Sequence, residues 1–419
     1  MPSPTTNPGR VWYPYTQMRD LTPPIPILRG QGAWLEATDG TRYLDAISSW
    51  WVTLHGHAEP RIAAAVAAQG ARLEQVILSG YTHPAAEELA ERLVAITPAG
   101  LNHVFYSDDG STAVEVALKM AWQSWQQRGQ PRRRRILGFE HAYHGDTLGA
   151  MAVSAPSPFT AAFADVLFPV EHLALEAEVV AARLAALEGE VAAVIIEPLL
   201  QGAGGMLMHS PEFLRQLRQL CDRHQVLLIA DEVLTGFGRT GSMFACEQAG
   251  IAPDILCLSK GLTGGFLPLA ATLATDAVYE AFLSDDRRAT LFHGHSFTGN
   301  ALGCAAALAS LDIFASEPVF DRMAAIARHH QLRLTRLASH PRVRAPRQLG
   351  TVAALDLATG GEAGYLADAG PRLRQFFTAR HLLLRPLGAT VYVLPPYCIT
   401  PDELDQVWDG IEAACDELS

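Results

Sequence analysis

The fold is decided by the stretch Val226-Leu227-Leu228-Ile229-Ala230-Asp231, an apolar run that ends directly at an acid. A second run, Ile255-Leu256-Cys257-Leu258-Ser259-Lys260, leads in the same way to a lysine. Continuous apolar runs of this length are typical of strands buried on both faces of a parallel sheet. Ligands of such sheets bind outside the carboxyl ends of the strands. The sequence therefore predicts that Asp231 and Lys260 lie together at the edge where chemistry takes place.

An acid and a lysine delivered in this way fit one cofactor, pyridoxal phosphate. Its aldehyde forms a Schiff base with a lysine, and its ring nitrogen stays protonated beside a carboxylate. The lysine must also lose its charge, which burial favours. Taken singly, Asp231 is better interpreted as a turn or helix cap and Lys260 as a surface loop residue. The two together favour the cofactor.

Length, composition and charge describe a large soluble protein. The chain has 419 residues, too many for one hydrophobic core, which indicates two domains or a large one with an appendage. Hydrophobic residues make up 49% and charged residues 18%, as in ordinary globular proteins. A net charge of −12 with no evident basic face argues against a nucleic-acid partner. The basic run from Arg132 to Arg135 is interpreted as a solvated turn before a strand.

The sequence predicts neither export nor a membrane span nor a metal site. The six cysteines lack C-x-x-C spacing, which indicates small core residues in a reducing compartment. Residues 1–10 lack the apolar segment of a secretory signal, and no segment approaches the roughly eighteen apolar residues of a span. The pairs His55/His57 and His293/His295 have no further ligand at a zinc-like spacing. We expect a cytoplasmic protein.

Strands and helices alternate from about residue 103 to residue 275, which predicts a doubly wound α/β fold. A short strand at His103–Tyr106 runs into a glycine-containing turn, and a helix follows at Ala113–Gln127. The backbone N–H groups at such a helix start can hold a phosphate, which Gly110 lets come close and Ser111 supports with a hydroxyl. Plain N-capping by Ser111, which needs no ligand, is the alternative.

The remaining elements define the predicted domains. Residues 1–32 are expected to lack regular structure, and a hairpin is expected around Asp39-Gly40. Further helices are predicted at 60–76, 84–96, 171–190, 211–224 and 301–314, and further strands at 136–139, 192–196, 269–274, 350–357, 382–385 and 391–394. We assign residues 1–57 to an arm and hairpin of the small domain, 58–314 to a large cofactor-binding domain, and 315–419 to a C-terminal small α+β domain.

Three further residue types are candidates for a pocket, each with an alternative left open. Tyr143 follows a strand and could stack on a pyridine ring, or it could be a half-buried loop tyrosine. Of the adjacent Trp50 and Trp51, one could line a pocket; otherwise one is core and the other surface. Arg385 could clamp a substrate carboxylate, although a surface ion pair is favoured on the residues alone.

These motifs together resemble the signature of class III (fold type I) pyridoxal-phosphate aminotransferases. The likeness runs over essentially the whole chain, and its signature residues are Ile229–Val233, Thr235–Gly241, and Leu258–Gly261 with Gly264-Gly265. Within the class the chain is similar to the subgroup that aminates 8-amino-7-oxononanoate in biotin synthesis, with S-adenosylmethionine as the usual donor. The residues that carry this second likeness are Tyr13–Met18, Ser48–Trp51, Tyr143–Thr147, Gln201–Met206, Arg385-Pro386 and Leu394–Tyr397.

The resemblance implies a role for each matching residue. Lys260 would be the Schiff-base lysine and Asp231 the partner of the ring nitrogen. Gly110 and Ser111 would hold the phosphate, and Tyr143 would stack on the ring and face substrate. The substrate pocket would be lined by Tyr15, Trp50, Gly294 and Arg385, with Arg385 taking the carboxylate.

The resemblance also implies a homodimer in which His295 and Ser296 reach the phosphate of the neighbouring subunit's cofactor. Two positions depart from the usual pattern. The loop His293-Gly294-His295-Ser296 usually reads His-Gly-Pro-Thr, and the turn Asp108-Asp109-Gly110-Ser111 usually reads Asp-Ser-Gly-Ser. Serine at 296 keeps the hydroxyl, whereas the extra acid at 109 is unfavourable beside a phosphate unless its side chain points away.

Other functions remain open on the same scaffold. The chain could be another class III ω-aminotransferase, acting on ornithine, 4-aminobutyrate or a β-amino acid, although Tyr15, Trp50 and Pro395-Pro396-Tyr397 argue against it. It could use lysine as the donor. It could also be an aminomutase. A protein that holds the cofactor without catalysis is a further alternative, and the intact lysine, aspartate and phosphate turn disfavour only this last one.

Overall fold

The computed structural model describes residues 10–19, 22–358 and 369–418. Within these ranges the strands are β1 Ile27–Gln31, β2 Trp34–Ala37, β3 Arg42–Asp45, β4 Leu101–Ser107, β5 Arg135–Phe139, β6 Glu171–Leu173, β7 Val191–Ile196, β8 Leu200–Gln201, β9 Leu207–Met208, β10 Leu227–Asp231, β11 Ile255–Leu258, β12 Ala270–Thr275, β13 Val343–Leu349, β14 Val352–Leu357, β15 Leu382–Leu383 and β16 Thr390–Val393.

The helices of the described residues are α1 Ser48–Trp51, α2 Pro60–Gly70, α3 Pro84–Ile96, α4 Gly110–Gln127, α5 Leu148–Val153, α6 Ala177–Ala186, α7 Pro211–His224, α8 Ala245–Ala249, α9 Asp276–Glu280, α10 Ala301–Ser316, α11 Val319–Leu337, α12 Ala369–Ala379 and α13 Pro401–Glu417. Short 3₁₀ turns lie at Ala161–Val166, Lys260–Thr263 and Arg287–Ala289.

A seven-stranded sheet forms the centre of the molecule, in the order β4-β12-β11-β10-β7-β5-β6. The strands from β11 to β6 are parallel to one another, and β12 is antiparallel to both of its neighbours. Every residue of β7, β10 and β11 is buried, as expected for strands covered on both faces. The predicted mostly parallel, doubly wound sheet is confirmed.

Sequence signals set the ends of the helices that flank this sheet. Proline stands at the first turn of α2, α3, α7 and α13, where a missing N–H costs no hydrogen bond. Ser210 caps α7, and Thr400 forms a capping box with Glu403 at the start of α13. Because these signals are local, the predicted bounds of α3 and α7 agree with the structure.

Two smaller sheets lie outside the central one. A four-stranded sheet has the order β1-β2-β3-β15, so the predicted hairpin around Asp39-Gly40 pairs in parallel with a strand from near the C-terminus. A three-stranded antiparallel sheet has the order β13-β14-β16. The N-terminal hairpin is therefore tied both to the last hundred residues and, through the bridge between Gly32 and His57, to the chain that follows it.

Three sequence-based expectations about elements are wrong. Strand β1 lies inside the segment expected to be irregular, because its backbone pairs with β2; residues 1–9 and 20–21 of that segment lie outside the described residues. The helix expected at 171–190 is strand β6 followed by α6, because β6 pairs with the edge of the central sheet. The helix expected to reach residue 76 ends at Gly70.

Among the described residues no single helix is long and apolar enough to cross a membrane. The pair α10 and α11, bent by 77°, passes the same test of length and composition only when taken together. Helix α10 packs into the protein core, with ten of its residues buried.

Candidate active site

A cavity of about 510 Å³ opens at the carboxyl edge of the central sheet. It brings together eight of the eleven predicted site residues: Tyr15, Trp50, Gly110, Ser111, Tyr143, Asp231, Lys260 and Arg385. The other walls come from residues such as Trp51, His144, Phe159, Glu197, Val233 and Tyr392. The cavity therefore has the location predicted from the two strand ends.

Asp231 and Lys260 reach the cavity on neighbouring strands. Asp231 is the last residue of β10 and pairs in register with Cys257 of β11, so Lys260 follows three residues beyond that level. Both strands are parallel, and their carboxyl ends face the same side. The acid and the lysine are thus placed by sheet register, as the two apolar runs predict.

Lys260 has an unusual backbone and an aromatic neighbour. Its φ is +42°, in the left-handed region that L side chains rarely adopt, and its Nζ lies 4.7 Å from the centroid of the Trp51 ring. Burial lowers the pKa of Lys260, and the positive charge of Arg239 acts in the same direction, while Asp231 and Glu197 oppose it. The pocket therefore favours the neutral, nucleophilic amine more than water does.

Asp231 is buried and held from two sides. Its Oδ2 lies 2.7 Å from Nδ1 of His144, and its Oδ1 accepts the backbone N–H of Val233 at 3.1 Å. His144 is itself buried, and within the described chain its Nε2 has no hydrogen-bond partner. This arrangement fixes the orientation of the Asp231 carboxylate toward the cavity.

Tyr143 is held by two acids, Glu197 and Asp146, of which Glu197 lines the cavity. Its backbone N–H donates to Oε2 of Glu197 at 3.0 Å, and its hydroxyl donates to Oδ1 of Asp146 at 3.0 Å. Burial raises the pKa of Tyr143, and the Tyr15 hydroxyl 3.2 Å away adds to this effect. Tyr143 is thus a neutral, half-buried loop tyrosine, as one alternative predicts, and its position in the cavity wall is also compatible with stacking on a pyridine ring.

The start of α4 forms a cradle at one end of the cavity. A Cβ added at Gly110 would lie 2.7 Å from Cγ1 of Val233, so only glycine fits there without displacement. Gly110 and Ser111 belong to the first helical turn, where N–H groups have no intrahelical acceptor. Such N–H groups suit an anion.

Asp109, not Ser111, is the N-cap of this helix. Its Oδ1 accepts the N–H of Thr112 at 2.9 Å, and the Thr112 hydroxyl completes a capping box. The alternative in which Ser111 caps the helix is therefore wrong; its Oγ instead accepts the N–H of Asp146 at 3.0 Å. The extra acid is committed to the helix and replaces the usual serine as a cap.

Aromatic residues close the opposite side of the cavity. The Tyr15 ring lies 5.3 Å from the Trp50 ring and 5.6 Å from the Phe159 ring, and its hydroxyl donates to Asp146. The Arg385 guanidinium lies over Trp50, 4.7 Å from the ring centroid. An arginine on an aromatic face inside a cavity can meet a carboxylate, so the surface ion pair is not needed to explain its position.

Both tryptophans line the cavity, because the backbone at 48–51 is not extended. Ser48, Ser49 and Trp51 all have positive φ, at 53°, 59° and 68°. The alternative in which one tryptophan is core and the other surface agrees with their exposure: Trp51 is buried, with its Nε1 donating to the Tyr392 hydroxyl at 3.0 Å, whereas Trp50 is 38% exposed. The pocket interpretation is also supported, because both rings line the cavity.

Arg239 supports this wall from behind. It is 1% exposed and donates to three backbone carbonyls, those of Pro395 at 2.8 Å, Thr53 at 3.3 Å and Trp51 at 3.4 Å. The Tyr397 ring lies beside it, with 5.0 Å between the guanidinium carbon and the ring centroid. Burial lowers the pKa of Arg239, yet an arginine stays charged at neutral pH.

The loop with Gly294, His295 and Ser296 is not part of the cavity wall in the described chain. His295 Nε2 lies 3.7 Å from Oδ1 of Asp108, which does line the cavity. The other paired histidines have hydrogen-bond partners within the protein: His55 Nε2 lies 3.0 Å from Ser310 Oγ, and His57 Nε2 lies 2.8 Å from Asp45 Oδ2.

Several residues of the site were not assigned from the sequence. Glu197 follows the apolar strand β7 as Asp231 follows β10, so the same strand-end rule could have found it. His144 and Asp146 follow Tyr143 in a turn, and the sequence of this turn does not indicate which side chains contact Asp231 or Tyr143. Tyr392 and Phe159 reach the cavity through long-range packing that no local pattern indicates.

The chain matches the family described as aminotransferase class-III over residues 15–415. A relative in Synechococcus elongatus, adenosylmethionine-8-amino-7-oxononanoate aminotransferase, is 51% identical over 97% of this chain and 99% of that protein. A relative of the same name in Geobacter sulfurreducens is 45% identical over 96% of this chain and 94% of that protein.

Solved structures show the same likeness. The crystal structure of adenosylmethionine-8-amino-7-oxononanoate aminotransferase from Methanocaldococcus jannaschii superposes with a TM-score of 0.94, at 36% identity over 98% of this chain and 97% of that one. An amine transaminase from an uncultivated Pseudomonas species, in its PLP-bound form, superposes with a TM-score of 0.89, at 33% identity over 98% and 99% of the two chains. The expected fold type is confirmed.

Proposed function

The chain belongs to the class III aminotransferases, and from this premise we propose that it transfers an amino group to 8-amino-7-oxononanoate in biotin synthesis. S-adenosylmethionine is the proposed donor, after the name that several of its relatives carry. The observation that carries the proposal is the cavity that joins Asp231, Lys260 and the start of α4.

The residues of the cavity fit pyridoxal phosphate at each of its polar ends. The glycine cradle and free first turn at Gly110 and Ser111 suit the phosphate. Asp231, with one oxygen bound by His144, suits a protonated ring nitrogen, and Lys260 suits the aldehyde. Val233, which touches the cradle, and Tyr143 also line the cavity and would offer apolar and aromatic surface to the ring of the cofactor.

Bound pyridoxal phosphate would supply a carbonyl that accepts amino groups and a ring that takes up electrons from the substrate carbon. Lys260 supplies the amine and moves a proton at its Nζ, and burial favours the neutral form of this amine by lowering its pKa. Asp231 would keep the ring nitrogen of the cofactor protonated. Because donor and acceptor use the same cavity in turn, we expect ping-pong kinetics.

Arg385 and the aromatic wall are the proposed substrate contacts. The guanidinium, positioned by Trp50, would bind the carboxylate of the acceptor. The rings of Tyr15 and Trp50 offer an apolar surface to the carbon chain between the two polar ends of that molecule.

We also propose a homodimer. Ile77, Tyr81, Phe292 and Phe297 are exposed large apolar side chains, and the two segments that carry them are joined by a 3.0 Å bond from Gln75 to the Ser296 carbonyl. Such a surface is typical of an interface. It adjoins the cavity through His295 and Asp108, which supports a site completed by Gly294, His295 and Ser296 of a second copy. Light scattering should give a mass about twice 45.2 kDa, and a monomer would contradict the proposal.

The function is tested by the visible absorption spectrum of the cofactor-loaded protein. S-adenosylmethionine added without acceptor should remove the yellow band, and 8-amino-7-oxononanoate should restore it. The two changes together would demonstrate both half-reactions and identify the donor.

Other outcomes correct the proposal in defined ways. If lysine bleaches the band and S-adenosylmethionine does not, the donor is lysine. If only ornithine or 4-aminobutyrate bleaches it, the chain is a general ω-aminotransferase. A protein that shows no such band after pyridoxal phosphate is added contradicts the whole assignment.

A further inference from the structure

Glu197 is a buried carboxylate at the cavity that the reaction has not yet used. It follows β7 directly, and β7 is the neighbour of β10, which ends at Asp231. The register pairs Ile196 with Ala230, so the two acids lie side by side at the sheet edge. Each is 5% exposed, and both line the cavity.

The two oxygens of Glu197 hold two different loops. Oε2 accepts the backbone N–H of Tyr143 at 3.0 Å, and Oε1 accepts that of Gly202 at 2.9 Å. The neighbouring acid, Asp231, binds the ring of His144 at 2.7 Å. Residues 143 and 144 are therefore fixed together, the first through its backbone by Glu197 and the second through its side chain by Asp231.

The loop after β8 leaves no room for this arrangement to shift. A Cβ added at Gly204 would lie 2.2 Å from the His141 carbonyl oxygen, and one added at Gly202 would lie 2.3 Å from Cδ2 of Leu234. The loop therefore packs closely against the segment that carries Tyr143. Any displacement of Gly202 would be transmitted to the aromatic ring through Glu197 and through this contact.

We propose that Glu197 is a positioning residue for the bound cofactor. The ionised carboxylate of Glu197 would hold the Tyr143 ring and the Gly202 loop against the cofactor. The proposal rests on the proposed function, because Tyr143 has a ring to face only when pyridoxal phosphate is bound. Only the ionised carboxylate presents an unprotonated oxygen to each of the two N–H donors.

Charge supports the same conclusion. Burial raises the pKa of Glu197 to about 7, Asp231 adds to this effect, and His144 and the two N–H donors oppose it. A cationic ring held at Asp231 would lower this pKa again, so cofactor binding and ionisation of Glu197 favour each other. Cofactor affinity should therefore rise as pH increases through the range near 7, where the carboxylate loses its proton.

The chain contains a matched control, Glu232. It is also fully buried, it also accepts two backbone N–H groups, from Ala245 at 2.7 Å and Cys246 at 2.9 Å, and burial also raises its pKa to about 7. It does not line the cavity. Glu232→Gln and Glu197→Gln therefore make the same chemical change, and each must point an amide NH₂ at a backbone N–H.

The experiment titrates cofactor-free, full-length protein with pyridoxal phosphate, followed by visible absorption and by circular dichroism of the cofactor band. We expect E197Q to raise the dissociation constant by about tenfold or more, to reduce the dichroism, and to flatten the pH dependence between about pH 6 and pH 8. E232Q should stay within about twofold of the wild type in affinity and keep its dichroism, although both variants unfold at lower urea concentrations.

Equal affinity and equal dichroism in E197Q and E232Q would overturn the proposal. If E197Q does not fold, Glu197→Asp keeps the charge but shortens its reach, and it should give a smaller change in the same two signals; wild-type values would overturn the proposal. A wild-type chain that takes up no pyridoxal phosphate overturns the proposed function instead, so the two failures are distinct.

Discussion

Two arginines, each almost fully buried, hold the molecule together in opposite ways. Arg239, behind the cavity wall, is bound only by neutral carbonyl groups, from Trp51, Thr53 and Pro395. Arg333, on α11, is 7% exposed and faces three acids of α13, with Asp405 at 3.0 Å, Glu412 at 3.2 Å and Asp409 also in contact. Among the described residues Arg239 has no acid in direct contact, although Asp45 acts on it electrostatically, whereas Arg333 contacts three acids.

The difference shows what each region requires. The three acids lie on one face of α13, at steps of four and three residues, so the nearly buried Arg333 joins α11 to α13. At the cavity, Asp45 acts on Arg239 electrostatically but forms no ion pair with it among the described residues, and the positive charge of Arg239 helps burial to lower the pKa of Lys260. Arg239 therefore contributes to the electrostatics of the cavity, whereas Arg333 contributes to the packing of two helices.

The largest effect should come from removing the amine of Lys260. Lys260→Ala should lower kcat by more than about 10⁴-fold, because both the covalent contact and the proton carrier are lost. Folding should be retained, since burial already disfavours the charged lysine. Steady-state kinetics and far-ultraviolet circular dichroism measure the two; near-normal turnover would contradict the assignment.

Arg239→Gln tests the role of the arginine behind the cavity wall and should lower both activity and stability. We expect kcat/KM to fall by at least about tenfold and stability by about 1–3 kcal/mol, because the buried carbonyls lose their donor. Loss of the positive charge should also raise the pKa of Lys260 and move the acid limb of the pH–rate profile to higher pH. A profile with unchanged limbs would mean that Arg239 acts only through packing.

Arg333→Met should affect stability alone. We expect a loss of about 2 kcal/mol in urea unfolding, because the network of three acids is left without its cation, while kcat/KM stays within about twofold. Arg380→Met is the control: this arginine pairs with the single acid Glu417, at 2.8 Å, and lies 3.5 Å from the centroid of the Phe376 ring, and its replacement should cost less than about 1 kcal/mol. Equal losses in both variants would contradict a network at Arg333.

The smallest effect sharpens the comparison through pH. His330 is fully buried between Trp408 and the Thr351 carbonyl, and burial lowers its pKa to about 3. Because the folded state binds this proton less readily than the unfolded state, stability is present above about pH 6.5 and is lost as pH falls toward 3.

His330→Gln should remove this contribution. Its unfolding free energy should fall less steeply on acidification than that of the wild type, by about 1.4 kcal/mol at about pH 5.5 relative to pH 7. Urea unfolding at several pH values measures the two slopes. Parallel curves would show that His330 does not titrate with unfolding.

The sequence predicts those parts of the site that depend on local pattern. Asp231 ends the buried strand β10, Lys260 follows the buried strand β11, and Gly110 begins the helix after β4. The structure places all three at one cavity. Glu197 also follows a buried strand, but it was not assigned a role, because the local sequence does not indicate what a second acid beside Asp231 would bind.

Other features have no local signal at all. The positive φ angles of Ser48, Ser49 and Trp51 depend on distant partners, including a bond from Ser48 Oγ to the Leu394 carbonyl at 2.9 Å. Arg239 belongs to a glycine-rich turn in sequence, and its three acceptors are far along the chain. The strand β1 and the strand β6 were missed because partners more than a few residues away decide them.

The walls of the cavity come from almost the whole length of the chain, from Tyr15 to Tyr392. This has a consequence for biosynthesis, because a ribosome delivers the N-terminal wall first and the C-terminal wall nearly last. A nascent chain that stops before residue 385 has the lysine and the aspartate but no guanidinium over Trp50 and no hydroxyl for Trp51. Truncated products therefore lack a closed site, and assembly of the full pocket waits for the completed polypeptide.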